Sequence, residues 1–145
     1  MTLATLVSRI FDPILVSLAV LIVAFAKSGL PGPQMVQLFL AVAMVAIFIP
    51  GFLFFLAVQR KSVDGWDLQN RAGRIKPFFV ELLFLLSAYI LIVLYGNTFL
   101  QSVWLLIIAI WTGFLVMTLF WKISGHTTTA TLASLLFLRW FGLSW

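Results

Sequence analysis

The side chains able to do polar chemistry fall into two clusters. The first is Asp67-Leu-Gln-Asn-Arg71-Ala-Gly-Arg74-Ile-Lys76-Pro77, and the second is Lys122-Ile-Ser124-Gly125-His126. Asp67, Arg71 and Arg74 stand at i, i+4 and i+7, a spacing that lines one face of a helix. Arginine presents a planar fork of donors matched to phosphate oxygens. A helix start adds free backbone amides and a positive dipole end, and Ser124-Gly125-His126 supplies such a start. Glycine lets an anion approach the main chain closely, and a histidine beside a bound phosphate can protonate a leaving oxygen. A blander reading competes, in which basic residues beside a membrane touch lipid headgroups. Glu81 is the carboxylate inside an apolar run, where an ionisable group suggests function. Its place beside Lys76 predicts a local ion pair. His126 is the one histidine, and a neutral imidazole could ligate a metal or a pigment's magnesium. One histidine does not build a protein metal site, so no metal and no cofactor are expected.

The elements that carry these clusters are set by composition. Of 145 residues, 63% are hydrophobic and 9% charged, against roughly a quarter charged in ordinary globular chains. Too few polar residues remain to cover a soluble domain of this size. The fold class expected is an all-α membrane protein, a polytopic bundle of about five transmembrane helices in a single domain. A crossing needs about 20 apolar residues, and five runs qualify or nearly so, at about 10–26, 35–58, 78–95, 99–121 and 127–140. The first enters through Asp12-Pro13, a cap and first-turn pair, and is read as a span rather than a removed signal peptide. Gly29-Leu-Pro-Gly-Pro33 forms a turn, and Pro50-Gly51 predicts a kink in the second span. The polar loop 59–77 holds seven of the thirteen charged residues. A tight turn at Gly96-Asn97 makes spans three and four a hairpin. That hairpin crosses twice, so Arg71, Arg74 and Lys76 should lie on the same face as Lys122 and His126.

With both clusters in view, the chain resembles the type 2 phosphatidic acid phosphatase superfamily over roughly residues 10–140. Lys122-Ile-Ser-Gly-His126 looks like that family's second signature, usually Pro-Ser-Gly-His, with isoleucine in place of proline. Residues 67–77 look like a divergent first signature, in which Ile75 and Lys76 separate Arg74 from Pro77. The resemblance implies phosphate binding by Arg71, Arg74 and Lys76, with Lys122 beside them. It implies a cradle from Ser124 and Gly125, and a general acid at His126. The third signature, with its nucleophilic histidine, has no counterpart in the sequence. Without a nucleophile the family's double displacement has no first step. The expectation is therefore a non-catalytic accessory or scaffold subunit of a larger membrane complex, holding a lipid phosphate. The alternatives are a fragment of an active lipid phosphate or diphosphate phosphatase whose carboxy-terminal helix is missing, and a pigment-associated membrane subunit.

The tryptophans at 104, 111, 121, 140 and 145 read first as an aromatic belt at span ends. Arg9, Arg60, Lys61, Arg71, Arg74, Lys76 and Lys122 would share one face, against Lys27 and Arg139, which places the polar loop on the cytoplasmic side of a bacterial inner membrane. Expected partners are membrane lipids and other transmembrane subunits, with no nucleic acid.

Overall fold

A computed structural model describes residues 13–62, 71–120 and 125–141, and these are helical with short turns. The elements are α1 (Pro13–Ala26), α2 (Gly32–Ala43), a π-helical segment (Met44–Phe48), α3 (Ile49–Gln59), α4 (Arg71–Tyr95), α5 (Thr98–Phe120) and α6 (Gly125–Trp140). Because α2, the π segment and α3 run on without a break, the described residues form five rods. Three stretches are long and apolar enough to cross a bilayer: Gly32–Gln59, Ile75–Tyr95 and Thr98–Phe120. The helices Leu15–Ala26 and Thr129–Leu138 are apolar but shorter.

The rods alternate in direction, and their shared end is fixed by polar contacts. Asn97 caps α5, its Oδ1 accepting the Leu100 amide at 3.0 Å, while its Nδ2 donates to the Ser28 carbonyl at 2.6 Å. Gln34 Nε2 donates to the Tyr95 carbonyl at 2.8 Å. Ser28 Oγ donates to the Phe25 carbonyl at 2.6 Å and accepts the Leu30 amide at 3.3 Å. Gly29 takes a φ of 70° to turn the chain there, a conformation glycine adopts at no steric cost. These bonds hold the α1–α2 turn against the α4–α5 turn, and we refer to this as the turn end. The Trp140 ring lies 6.5 Å from that of Phe99, and Lys27 Nζ sits 4.8 Å over Phe141. The last turn of α6 is therefore at the turn end too, and α1, α4 and α6 all begin at the opposite, basic end.

The main core gathers in the turn-end half. It comprises Leu21, Ala24, Phe25, Leu38, Val42, Ala43, Ala46, Leu85, Ala88, Ile92, Leu100, Val103 and Trp104. A smaller cluster, Val20, Ala133 and Leu136, joins α6 to α1. Elsewhere large apolar side chains face outward, among them Leu40, Phe52, Ile90 and Leu106. That outward apolar surface is what helices surrounded by lipid present.

The α4–α5 hairpin carries a repeated contact. Trp104 Nε1 donates to the Leu85 carbonyl at 2.9 Å, and Trp111 Nε1 donates to the Phe78 carbonyl at 3.2 Å. Donors and acceptors are both seven residues apart, which is the repeat that keeps one helix seam facing its partner. Phe78 also stacks against Trp111 and Phe114, with centroids 5.6 and 5.0 Å apart. The aromatic-belt reading therefore fails for these two tryptophans: Trp104 is 5% exposed and both are interhelical anchors. At the turn, a Cβ on Gly96 would meet the Ile92 carbonyl oxygen at 2.6 Å, so glycine is required for the tight reversal.

Two helix starts differ from the sequence reading. α4 begins at Arg71 rather than near Phe78, so 71–77 is helix and only the earlier part of the expected loop 59–77 can be loop. Pro77 sits inside that helix, tolerated because its missing amide costs a single bond near the helix start. The second rod begins at Gly32, with Pro33 in its first turn, a position where proline's fixed φ suits helix. Near the kink expected at Pro50 the rod carries a π-helical segment, Met44–Phe48, which ends at the residue before Ile49-Pro50. The boundaries of α1 and α6 stay close to expectation.

Candidate functional site

The site expected from sequence is divided by the described residues. Lys122 and Ser124 lie outside them, as does Asp67. The backbone places Arg71 at the first residue of α4 and Arg74 one turn on, and Gly125 and His126 open α6. Lys76 is exposed. Both helix starts belong to the basic end, as the two-crossing argument requires, because the α4–α5 hairpin returns the chain to its point of departure.

Sharing an end is not the same as sharing an interface. α4 packs against α5, α2, the π segment and α3, whereas the chief neighbour of α6 is α1. The structure thus brings Arg71 and Arg74 to the same end of the bundle as Gly125 and His126 without pairing their helices.

Electrostatics at this end favour anions. Three helices direct their amino termini here, α1, α4 and α6, while α3 and α5 direct their carboxyl termini here, and each terminus carries about half a unit charge. Arg60 and Lys61 stand exposed at the end of α3. The α3 terminus closes through a double bond pattern in which the Lys61 amide donates to the Val58 carbonyl at 3.0 Å and the Ser62 amide donates to the Ala57 carbonyl at 3.0 Å. Such a closure places the residue after the cap in the left-handed region. Lys61 occupies it with φ 54°, where glycine is usual. Nothing in the sequence announced this, because the signal for the motif is a glycine.

Glu81 is half-buried. Five residues separate it from Lys76, about 140° around a helix of 3.6 residues per turn, so the two project from different faces and the ion pair expected from sequence has no i,i+4 geometry to form. Instead Glu81 continues the inward stripe of Leu85, Ala88 and Ile92, all buried. Among the described residues there is no group of three or more His, Cys, Asp or Glu side chains able to hold a metal.

No family model, curated protein or solved structure matches the chain.

Proposed function

We propose that this is a five-span integral membrane protein of a bacterial inner membrane. It holds an anionic lipid phosphate at its basic end and serves as a non-catalytic accessory or scaffold subunit, related to the type 2 phosphatidic acid phosphatases. The observation that carries the reading is the common end of two helix starts, Arg71 with Arg74 and Gly125 with His126, beside the exposed cations Arg60, Lys61 and Lys76. Helix amides, dipole ends and guanidinium groups all favour the same ligand, a multiply charged oxyanion. The apolar flanks of the rods suit acyl chains, so a phosphate that arrives on a lipid gains at both levels. The same flanks offer surface to helices of partner subunits, which is what an accessory role requires.

The test uses the full chain in phosphatidylcholine nanodiscs with increasing phosphatidic acid. Binding should saturate, and Arg71→Ala and Arg74→Ala should each weaken it about fivefold, corresponding to about 1 kcal/mol per basic residue at a membrane surface. Arg139→Ala, at the turn end, serves as the control. Equal binding by all three variants and the parent would leave only a diffuse headgroup attraction. Release of inorganic phosphate from phosphatidic acid by the purified chain would refute the non-catalytic part and return the protein to the enzymes.

A further inference from the structure

The second rod, Gly32–Gln59, changes character at one place along its length. Its π segment closes hydrogen bonds one residue later than an α-helix does, and the Ile49 amide donates to the Met44 carbonyl. Pro50 follows, and it has no amide hydrogen with which to continue the bonding. Gly51 comes next. A glycine inside a helix weakens it, and no close approach accounts for this one, because a Cβ there would meet nothing within 4 Å. Sharp helix bends are found at π turns and at prolines. Here both stand within the eight consecutive residues from Met44 to Gly51.

Packing changes at the same place. Towards the turn end Leu38, Val42, Ala43 and Ala46 are buried, and they share one core with Leu85, Ala88 and Ile92 of α4. Pro50 is buried too. Beyond it, no residue from 51 to 62 is buried. α2 and the π segment pack against both α1 and α4, whereas the chief neighbour of α3 outside its own rod is α4 alone. The α4 row that continues this core loosens in step, since Leu85, Ala88 and Ile92 are buried while Glu81, Pro77 and Gly73 are half-buried.

The two ends of the rod are also tied differently. Gln34 near its start donates across helices to the Tyr95 carbonyl. At its finish the amides of Arg60, Lys61 and Ser62 donate to the carbonyls of Leu56, Val58 and Ala57, and the Ser62 hydroxyl donates to Ala57 as well, all within the same helix. α3 therefore closes its own bonding, packs lightly, and joins the core through the one stretch of the rod whose bonding is interrupted.

We propose that α3, with Arg60 and Lys61, is an arm that swings about Met44–Gly51 while the rest of the bundle stays fixed. The arm spans 11 residues, about 16 Å. A swing of about 20°, the size at which a bend counts as a kink, carries its tip about 6 Å. Arg60 and Lys61 ride on that tip and both are exposed, so the swing sets how far these cations stand from the start of α4 at the basic end. The inference rests on backbone bonding and packing and is independent of the phosphate reading.

The chain has no cysteine, so nitroxide labels can be placed in chosen pairs on the full chain in phosphatidylcholine nanodiscs and their separation read by double electron–electron resonance. Leu119→Cys is the shared reference, on an end of α5 held by the buried Phe114 and Thr118. Paired with Gln59→Cys on the arm, it should give distances spread at least about 6 Å wider than when paired with Leu40→Cys on the anchored half of the rod. Pro50→Ala combined with Gly51→Ala, which returns an amide donor and removes the glycine, should narrow the arm pair to the width of the anchored pair. Fraying at Gln59, two turns away, would not respond to that change. Equal widths for the two pairs in the parent would overturn the proposal, as would an arm pair undiminished in the double variant. If the double variant does not fold, Gly51→Ala alone, whose methyl enters open space, should narrow the arm pair in part, and an unchanged spread overturns the proposal.

Discussion

Replacing Trp104 and Trp111 by phenylalanine, singly and together, asks whether the α4–α5 seam is set by indole hydrogen bonds or by ring volume alone. Each indole donates to a carbonyl that also has its own helical donor, so removal orphans no acceptor and the cost of an unpaired buried group does not arise. Interhelical hydrogen bonds in membrane proteins average about 0.6 kcal/mol. Trp104 is 5% exposed with a 2.9 Å bond, and the smaller ring leaves a void that cannot fill with solvent, adding about 1 kcal/mol. Trp111 is half-buried with a longer bond of 3.2 Å, so its loss should cost only about 0.5 kcal/mol. The two bonds are two helical turns apart, about 10 Å, a separation at which effects add within roughly 0.5 kcal/mol. The double variant should therefore lose about 2 kcal/mol in reversible unfolding in mixed micelles. A stability in Trp104→Phe equal to that of the parent would refute the reasoning. So would a double variant no worse than Trp104→Phe, since the two anchors would then be one.

The rods and the hairpin turn were legible in the sequence because long apolar runs punctuated by Gly29 and Gly96-Asn97 leave few arrangements. Their ends were less so. Hydrophobicity marks where lipid begins, whereas a helix continues wherever its backbone bonds remain satisfied, and so α4 reaches Arg71 through polar residues and a proline. The two central tryptophans were misjudged for a related reason. Counting residue types near span ends suggests a belt, but the seven-residue spacing of Trp104 and Trp111 was the stronger signal and agrees with a packed seam. For the basic end, the sequence supplied the common face through the parity of crossings. It supplied no neighbour for α6, because every rod is apolar nearly all round and such helices carry no stripe that identifies a partner.

Two further substitutions probe the ends of the bundle. Asn97→Ala removes both the α5 cap and the donor to Ser28, and should cost about 1–2 kcal/mol in the same unfolding assay; an unperturbed midpoint would mean that the turns are held by the core alone. At the basic end, Lys61 stands in the left-handed position of the α3 closure, where a side chain costs about 1 kcal/mol that glycine avoids. Glycine is also the more flexible residue when unfolded, which offsets part of that gain. Lys61→Gly should therefore be more stable than the parent by roughly 0.5 kcal/mol, although it removes a cation. Lys61→Ala keeps the strain and should show no gain. Lipid binding separates the two contributions, since both variants lose the same charge and should weaken phosphatidic acid binding equally if charge alone matters. Should Lys61→Gly bind the lipid less well than Lys61→Ala, lost charge alone would not account for the effect, and the constrained left-handed backbone at this position would itself contribute to the headgroup site.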